Sequence, residues 1–309
     1  MSLPTLDSIS STLRRSLVDA AWAQWSAIEA WPNGKPARSV VDPEALVLAS
    51  LWLEPEEPRL WRVARLWARG GARYLSVQRI KNLARHYPHG AQQRLGAFAW
   101  ECLHSGKDAR WRALATAHTT AVRERGPELE PSPLFRRPGA LLLRLRIGLG
   151  VGIKADVLAY LLGSAGARRT LRDMAEATGY FRRAVDRAVS ELVAAGFVTA
   201  VPTSPATYFA PVERWDALLE LGESPPFWWH WDQIYRFAGA LDAAAVETLA
   251  SSPFLQASRA RDVLEEYGQV FHLNSMSVRP ASSAPGEAYL AVLAEDVGEL
   301  AKRIGENWV

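Results

Sequence analysis

A single cysteine, Cys102, stands in 309 residues, so no internal disulfide framework exists and a reducing, cytoplasmic setting is expected. Lysine is nearly as scarce: Lys35, Lys81, Lys107, Lys154 and Lys302 are the five among 36 basic residues, so the positive charge is carried by arginine. No basic flank followed by an apolar run opens the chain, which argues against a secretory leader. The longest greasy stretch, "ALLLRLRIGLGVGIKADVLAYLLG", is broken by Arg144, Arg146, Lys154 and Asp156 and reads as two soluble helices rather than a membrane span. His86 and His89 are split by Pro88, and Cys102 and His104 diverge on a helix, so neither pair forms a metal site or a Cys–His nucleophile. "GLGVG" lacks the preceding strand of a dinucleotide site, no phosphate loop is present, and no cofactor or catalytic residue is expected.

What is present is ordinary in bulk, with 49% hydrophobic and 22% charged residues, enough for a sizeable core in two or three domains. Charge is uneven. Residues 1–135 carry net +5, residues 136–214 net +6 and residues 215–309 net −8. The middle piece is the most basic per residue, which points to an anionic partner, whereas the acidic tail would repel a phosphate backbone.

Helical spacing of apolar residues runs through "LVDAAWAQWSAIEAW", "DPEALVLASLWL", "RLWRVARLWARG" and "QQRLGAFAWECL", with breaks at "WPNGKP", "EPEEP", "RGG" and "HYPHG". "ERGPELEPSPLFRRPG", residues 124–139, holds four prolines and is the expected linker. The tail resumes after "GESPP" and closes on a helix in "EAYLAVLAEDVGELAKRI". The expected organisation is an N-terminal helical domain (1–135), a middle domain (136–214) and a C-terminal acidic, Trp-containing helical domain (215–309).

The middle region carries the information. "KADVLAYLLG" supplies one apolar stripe, then in "RTLRDMAEATG" Thr170 and Asp173 have capping-box spacing and Gly179 supplies the positive φ of a sharp turn. In the next helix, residues 181–195, about 100° per residue puts Val185, Val189 and Leu192 in one narrow sector with Ala188 at its edge. Arg183, Arg187 and Ser190 fall opposite, with Arg182 and Asp186 on the flank. Phe197 to Val201 and Thr207 to Val212 then read as a hairpin around "PTSPA".

Helix, helix, glycine turn, helix and hairpin, with "TLRDMAEATGYFRRAVDRAVSELVAAGFV" at residues 170–198, resemble the winged helix-turn-helix domain of MarR-like and ArsR-like bacterial regulators, over residues of about 153–213. The resemblance implies a mainly α protein with a small hairpin wing that binds double-stranded DNA, Arg182, Arg183, Arg187 and Ser190 lying in recognition-helix positions. Arg172 on the preceding helix and Thr203, Ser204 and Thr207 at the wing complete the implied footprint. Two departures stand out: Phe181 occupies a position where such domains commonly place a serine or threonine, and the wing tip has no arginine or lysine. A homodimer is expected, because two-fold proteins match paired half-sites. The flanking regions would dimerise the protein or bind a small-molecule or protein effector. Two other classes stay open: a scaffold whose winged helix binds protein, and an enzyme that uses it to reach nucleic acid.

Remaining features admit two readings each. The row Arg59, Arg62, Arg65 and Arg69, with Arg79, Lys81 and Arg85, is either a set of solvated faces or an extension of a DNA footprint. "PPFWWHW", residues 225–231, is either core or an exposed interface, since its aromatics cannot all face one way on a helix.

Overall fold

The computed structural model describes residues 3–32, 34–115, 135–222 and 225–307. Most of the expected linker therefore lies outside the described residues. Its described end, 135–139, is packed: Phe135 meets the Tyr74 ring edge-on at 5.5 Å, and Val41 N donates to Gly139 O at 2.8 Å.

The protein is mainly helical with one small antiparallel sheet. Five helices come first: α1 (Leu6–Ala27), α2 (Pro43–Trp52), α3 (Pro58–Gly71), α4 (Val77–Ala84) and α5 (His89–His104). Side-chain caps start several of them, Thr5 on α1, Asp42 on α2 and Ser76 on α4, each accepting from a first-turn amide. After the undescribed stretch come α6 (Leu141–Leu149), α7 (Ile153–Gly163), β1 (Arg169–Thr170), α8 (Leu171–Thr178), α9 (Arg182–Ala194), β2 (Thr199–Val201), β3 (Thr207–Phe209) and α10 (Val212–Leu219). The chain ends with α11 (Trp231–Glu247), α12 (Pro253–Tyr267), α13 (Gln269–Leu273) and α14 (Tyr289–Glu306).

These elements gather on two apolar cores rather than three. The first and last sequence segments share one: α1 packs along α14 and α11, α2 also meets α11, and Trp25, Phe98, Trp231, Phe237 and Leu293 belong to one buried cluster. An N-terminal and a C-terminal domain with separate cores are thus not what the chain builds; the apolar face of α1 is covered by helices made from the far end of the sequence. The second core holds α6 to α10, with Leu158, Met174, Val185, Val189 and Trp215 at its centre.

In that second unit the sheet order is β1-β3-β2, antiparallel throughout, with Thr170 opposite Thr207 and Val201 opposite Thr207 on the other side. The returning strand is shorter than the sequence suggests, because Pro211 ends it and Val212 opens α10. α7 is buried on every side from Ala155 to Gly163 instead of along one stripe, since α6, α8, α9 and β3 all pack against it.

The aromatic run is neither a helix nor a single face. Residues 227–230 precede α11, and Phe227 forms a parallel bridge with Ser39. Extended backbone sends successive side chains to opposite sides. Phe227, Trp229 and Trp231 accordingly join the first core, while Trp228 packs on the second and its neighbour-but-one His230 meets Tyr160 from the same side. One segment thereby stitches both cores together.

Candidate nucleic-acid interface

Local chemistry fixes the frame of α8 and α9. Thr170 Oγ1 accepts from Asp173 N at 3.2 Å while Asp173 Oδ2 accepts from Thr170 N at 2.9 Å, the reciprocal capping box. Gly179 ends α8 at φ 72°, where a side chain would be strained. α9 then buries Val185, Ala188, Val189 and Leu192 against the second core. Phe181 sits at its N-cap without any side-chain hydrogen bond and is 86% exposed.

The opposite face of α9 is open to solvent. Arg182, Arg183, Arg187 and Ser190 are all exposed, as is Arg172 on α8. Among the described residues Arg172, Arg182 and Arg183 have no ion-pair partner. Arg187 differs: its Nε lies 3.3 Å from Glu191 Oε1, and Lys154 Nζ reaches Glu191 Oε2 at 2.5 Å. Bonding from Lys154 first, and from Arg187 second, holds the Glu191 carboxyl below its ordinary range. At the hairpin tip Thr203 and Ser204 are exposed and Thr207 half-buried. Thr203 Oγ1 donates to Pro205 O at 2.8 Å and lies 3.1 Å from Thr207 Oγ1, so two of the three wing hydroxyls are engaged with the turn itself.

Behind this face lies a feature that sequence reasoning missed. Five charged side chains, Asp42, Glu44, Arg79, Arg146 and Asp156, are all buried and interlocked. Arg79 Nη2 donates to Asp42 Oδ2 at 2.6 Å and its Nη1 to Glu44 Oε2 at 2.7 Å. Arg146 makes paired bonds to Asp156, 2.8 Å each, and to Glu44 at 2.6 and 3.0 Å. The remaining valences close on the backbone and one phenol: Ser76 N and Ala45 N donate to Glu44 and Asp42, Tyr180 Oη donates to Asp156 Oδ2 at 3.0 Å, and Arg79 Nε donates to Thr178 O at 3.0 Å. Burial alone would push the Asp42 carboxyl up, but the Arg79 charge and hydrogen bond, with the Ala45 amide, bring it below its usual value. Burial likewise raises the Tyr180 hydroxyl, keeping it a donor.

This cluster corrects one expectation. Arg79 is not part of any solvated or DNA-facing row, since it is enclosed between α2, α4 and the end of α8. The turn between α8 and α9 is tied through Thr178 to Arg79 of α4 and through Tyr180 to Asp156 of α7, inside a charge cluster that also takes in α2 and α6. In the other arginine row, Arg59 pairs with Glu57 and lies over the Trp22 ring, and Arg65 pairs with Glu101 and lies over Trp61. Burial, first of all, pushes the Cys102 thiol well up. His104 stacks on Trp100. Among the described residues no group of His, Cys, Asp and Glu side chains could hold a metal ion, and no helix is long and apolar enough to cross a membrane.

No family model, curated protein or solved structure matches the chain.

Proposed function

We propose that the chain binds double-stranded DNA as a transcriptional regulator, that α7 to β3 form a winged helix, and that α9 is its recognition helix. One observation carries this reading: α9 commits Val185, Ala188, Val189 and Leu192 to the core while Arg182, Arg183, Arg187 and Ser190 project on the opposite side. A helix anchored along one seam and lined with guanidinium groups on the other suits a major groove, where arginine reads guanine edges and phosphates. The element order, with a two-residue first strand pairing the hairpin, supports the same reading. A cytoplasmic homodimer on paired half-sites is the assembly that follows.

Fluorescence anisotropy on random duplex DNA across a salt series tests it. Binding should weaken with salt, each phosphate contact adding roughly 0.9 to the log–log slope. Arg183→Ala should cost about 1–3 kcal/mol and relax specificity at one position if the residue reads a base, whereas if it holds phosphate the loss should be independent of sequence and should lower the salt slope. Salt-independent binding, or a triple Arg182, Arg183 and Arg187 alanine variant that binds as wild type, defeats the proposal. A second reading, a protein-binding module, is favoured by the exposed Phe181 ring at the same end of α9. It predicts that Phe181→Ala abolishes partner binding while DNA affinity stays at background.

A further inference from the structure

Four large apolar side chains lie within ten residues of one another at the corner where α11 turns into α12, and all four face water. Val246 is 69% exposed, Leu249 67%, Phe254 65% and Leu255 46%. Thr248, Gln256 and Ala257 fill the inward positions of the same corner. We infer that this corner is the face on which two copies of the chain pair about a two-fold axis.

The corner is fixed before a partner arrives. Thr248 Oγ1 donates to Ala244 O at 2.7 Å, and Ser252 Oγ caps α12 by accepting from Leu255 N at 3.4 Å. Gln256 ties three segments together, its Nε2 donating to Ser251 O at 3.2 Å and its Oε1 accepting from Leu6 N at 3.0 Å. Little conformational freedom is left to lose on docking.

Area agrees with a second copy as the occupant. The four side chains leave on the order of 400 Å² of surface in water, the size at which a patch marks a contact site. Interfaces are roughly 60% apolar, so a contact centred here would cover on the order of 650 Å² per copy and 1,300 Å² for the pair. That reaches the class of stable dimers.

Charge agrees as well. Residues 248–255, "TLASSPFL", hold no charged side chain. A two-fold contact sets each residue near the axis against its own twin, where any charge would repel itself. Only the edge is charged: Arg259 Nη2 lies 2.6 Å from Glu247 Oε2 and its Nη1 3.2 Å from Asp262 Oδ2, one guanidinium shared by two carboxylates. The rim is therefore slightly acidic, on a segment of net −8. Salt screens that repulsion and leaves the apolar centre intact, so pairing should tighten as salt rises. A basic partner on the same corner would show the opposite trend.

No residue of α9 or of the hairpin belongs to the corner, so both copies keep that face open. The inference rests on the homodimer of the preceding section and supplies its surface. It is measured without DNA, so its failure and the failure of DNA binding are separate results.

Sedimentation velocity on the full-length chain, from about 50 mM to about 500 mM salt, should show a monomer–dimer equilibrium that shifts toward dimer as salt rises. Leu249→Glu, which places like charges across the axis, should weaken pairing by roughly tenfold or more, with circular dichroism confirming the fold. Should that variant not fold, a spin label on Ala250→Cys decides the matter, since Cys102 is buried and the new thiol alone takes the label. Labels in a pair should then lie closer than about 30 Å, the diameter of a small domain. A chain that stays monomeric up to roughly 100 μM overturns the inference. So does pairing that weakens with salt, a folded Leu249→Glu variant that pairs as wild type, or the lack of a short label distance.

Discussion

Arginine plays opposite parts in two adjoining regions of the fold. In the buried cluster, Arg79 and Arg146 have every nitrogen turned toward a carboxylate or carbonyl, and neither reaches solvent. On α9, Arg182 and Arg183 are exposed and have no ion-pair partner among the described residues. A guanidinium in water costs the fold little and remains available to a partner; a guanidinium in the core must be satisfied completely, because a half-paired buried charge is far more costly than an apolar substitute. The first kind can recognise, and the second kind can only hold. What it holds here is the turn that leads into α9.

Breaking the buried set should have the largest effect. Arg146→Ala takes one of two arginines from buried Glu44 and leaves buried Asp156 with the Tyr180 hydroxyl but no cation in contact, and should lower stability by about 3–5 kcal/mol; chemical denaturation followed by circular dichroism measures it, and a loss below 1 kcal/mol would contradict complete burial. Asp232 sharpens the point from within the core. Its Oδ1 has no hydrogen-bond partner among the described residues, Arg236 is 3.6 Å from Oδ2, and burial, its main influence, raises the carboxyl to about 6. A carboxyl raised above its unfolded value costs stability at neutral pH, a cost that fades as pH falls from about 6 toward 3.8. Asp232→Asn should therefore stabilise the protein at pH 7 by up to about 3 kcal/mol, with the gain vanishing near pH 4.

His230 works in the other direction. Its lowered value means that the folded state resists protonation, so its contribution is complete above pH 6.5 and is lost as pH falls toward about 4. In wild type the two groups offset each other over that interval. Asp232→Asn should uncover a steeper acid destabilisation than wild type shows, visible in melting temperatures collected from pH 7 to pH 4; parallel pH profiles for the two proteins would refute this.

Smaller changes lie outside the core. Thr170→Ala removes one half of the capping box and should cost about 1 kcal/mol, read from the denaturation midpoint. Least of all should come from alanine at Arg182, Arg183 and Arg187 together, within about 0.5 kcal/mol of wild type for each site. A drop of several kcal/mol in that variant would mean that these side chains serve the fold and are not reserved for a partner.

Legibility in the sequence followed the range of the interactions. Thr170 with Asp173, Gly179, and the Val185, Val189 and Leu192 seam were readable because each rests on spacing within one or two turns of chain. The hairpin was readable in outline, but not β1, whose two residues make sense only as partners of β3. In the sequence Arg79 falls in one basic stretch with Lys81 and Arg85 and reads as a solvated or DNA-facing residue. Its enclosure depends on Asp42 and Glu44, which no local period links to it. The shared core of α1 and α14 escaped notice for the same reason. The "FWWHW" run stays open between core and interface in the sequence, because its aromatics cannot all face one way on a helix; alternation at every second residue of a non-helical segment lets its two sides serve different cores. Within the candidate DNA-facing surface, exposure was readable from spacing, whereas the diversion of Arg187 to Glu191, and of the wing hydroxyls to one another, was not.

The pairing of α1 with α14 also orders events on the ribosome. Leu6 N donates to Gln256 Oε1, a partner 250 residues further along. At roughly 5–20 residues per second, α1 emerges on the order of 10–50 s before that partner exists. The second core, made by residues 141–221 with Val40 and Trp228, is complete in sequence while the apolar flank of α1, with Ile9, Leu13 and Leu17, still waits for cover. The apolar flank of α1 is thus made early and covered late, when α11 and α14 arrive.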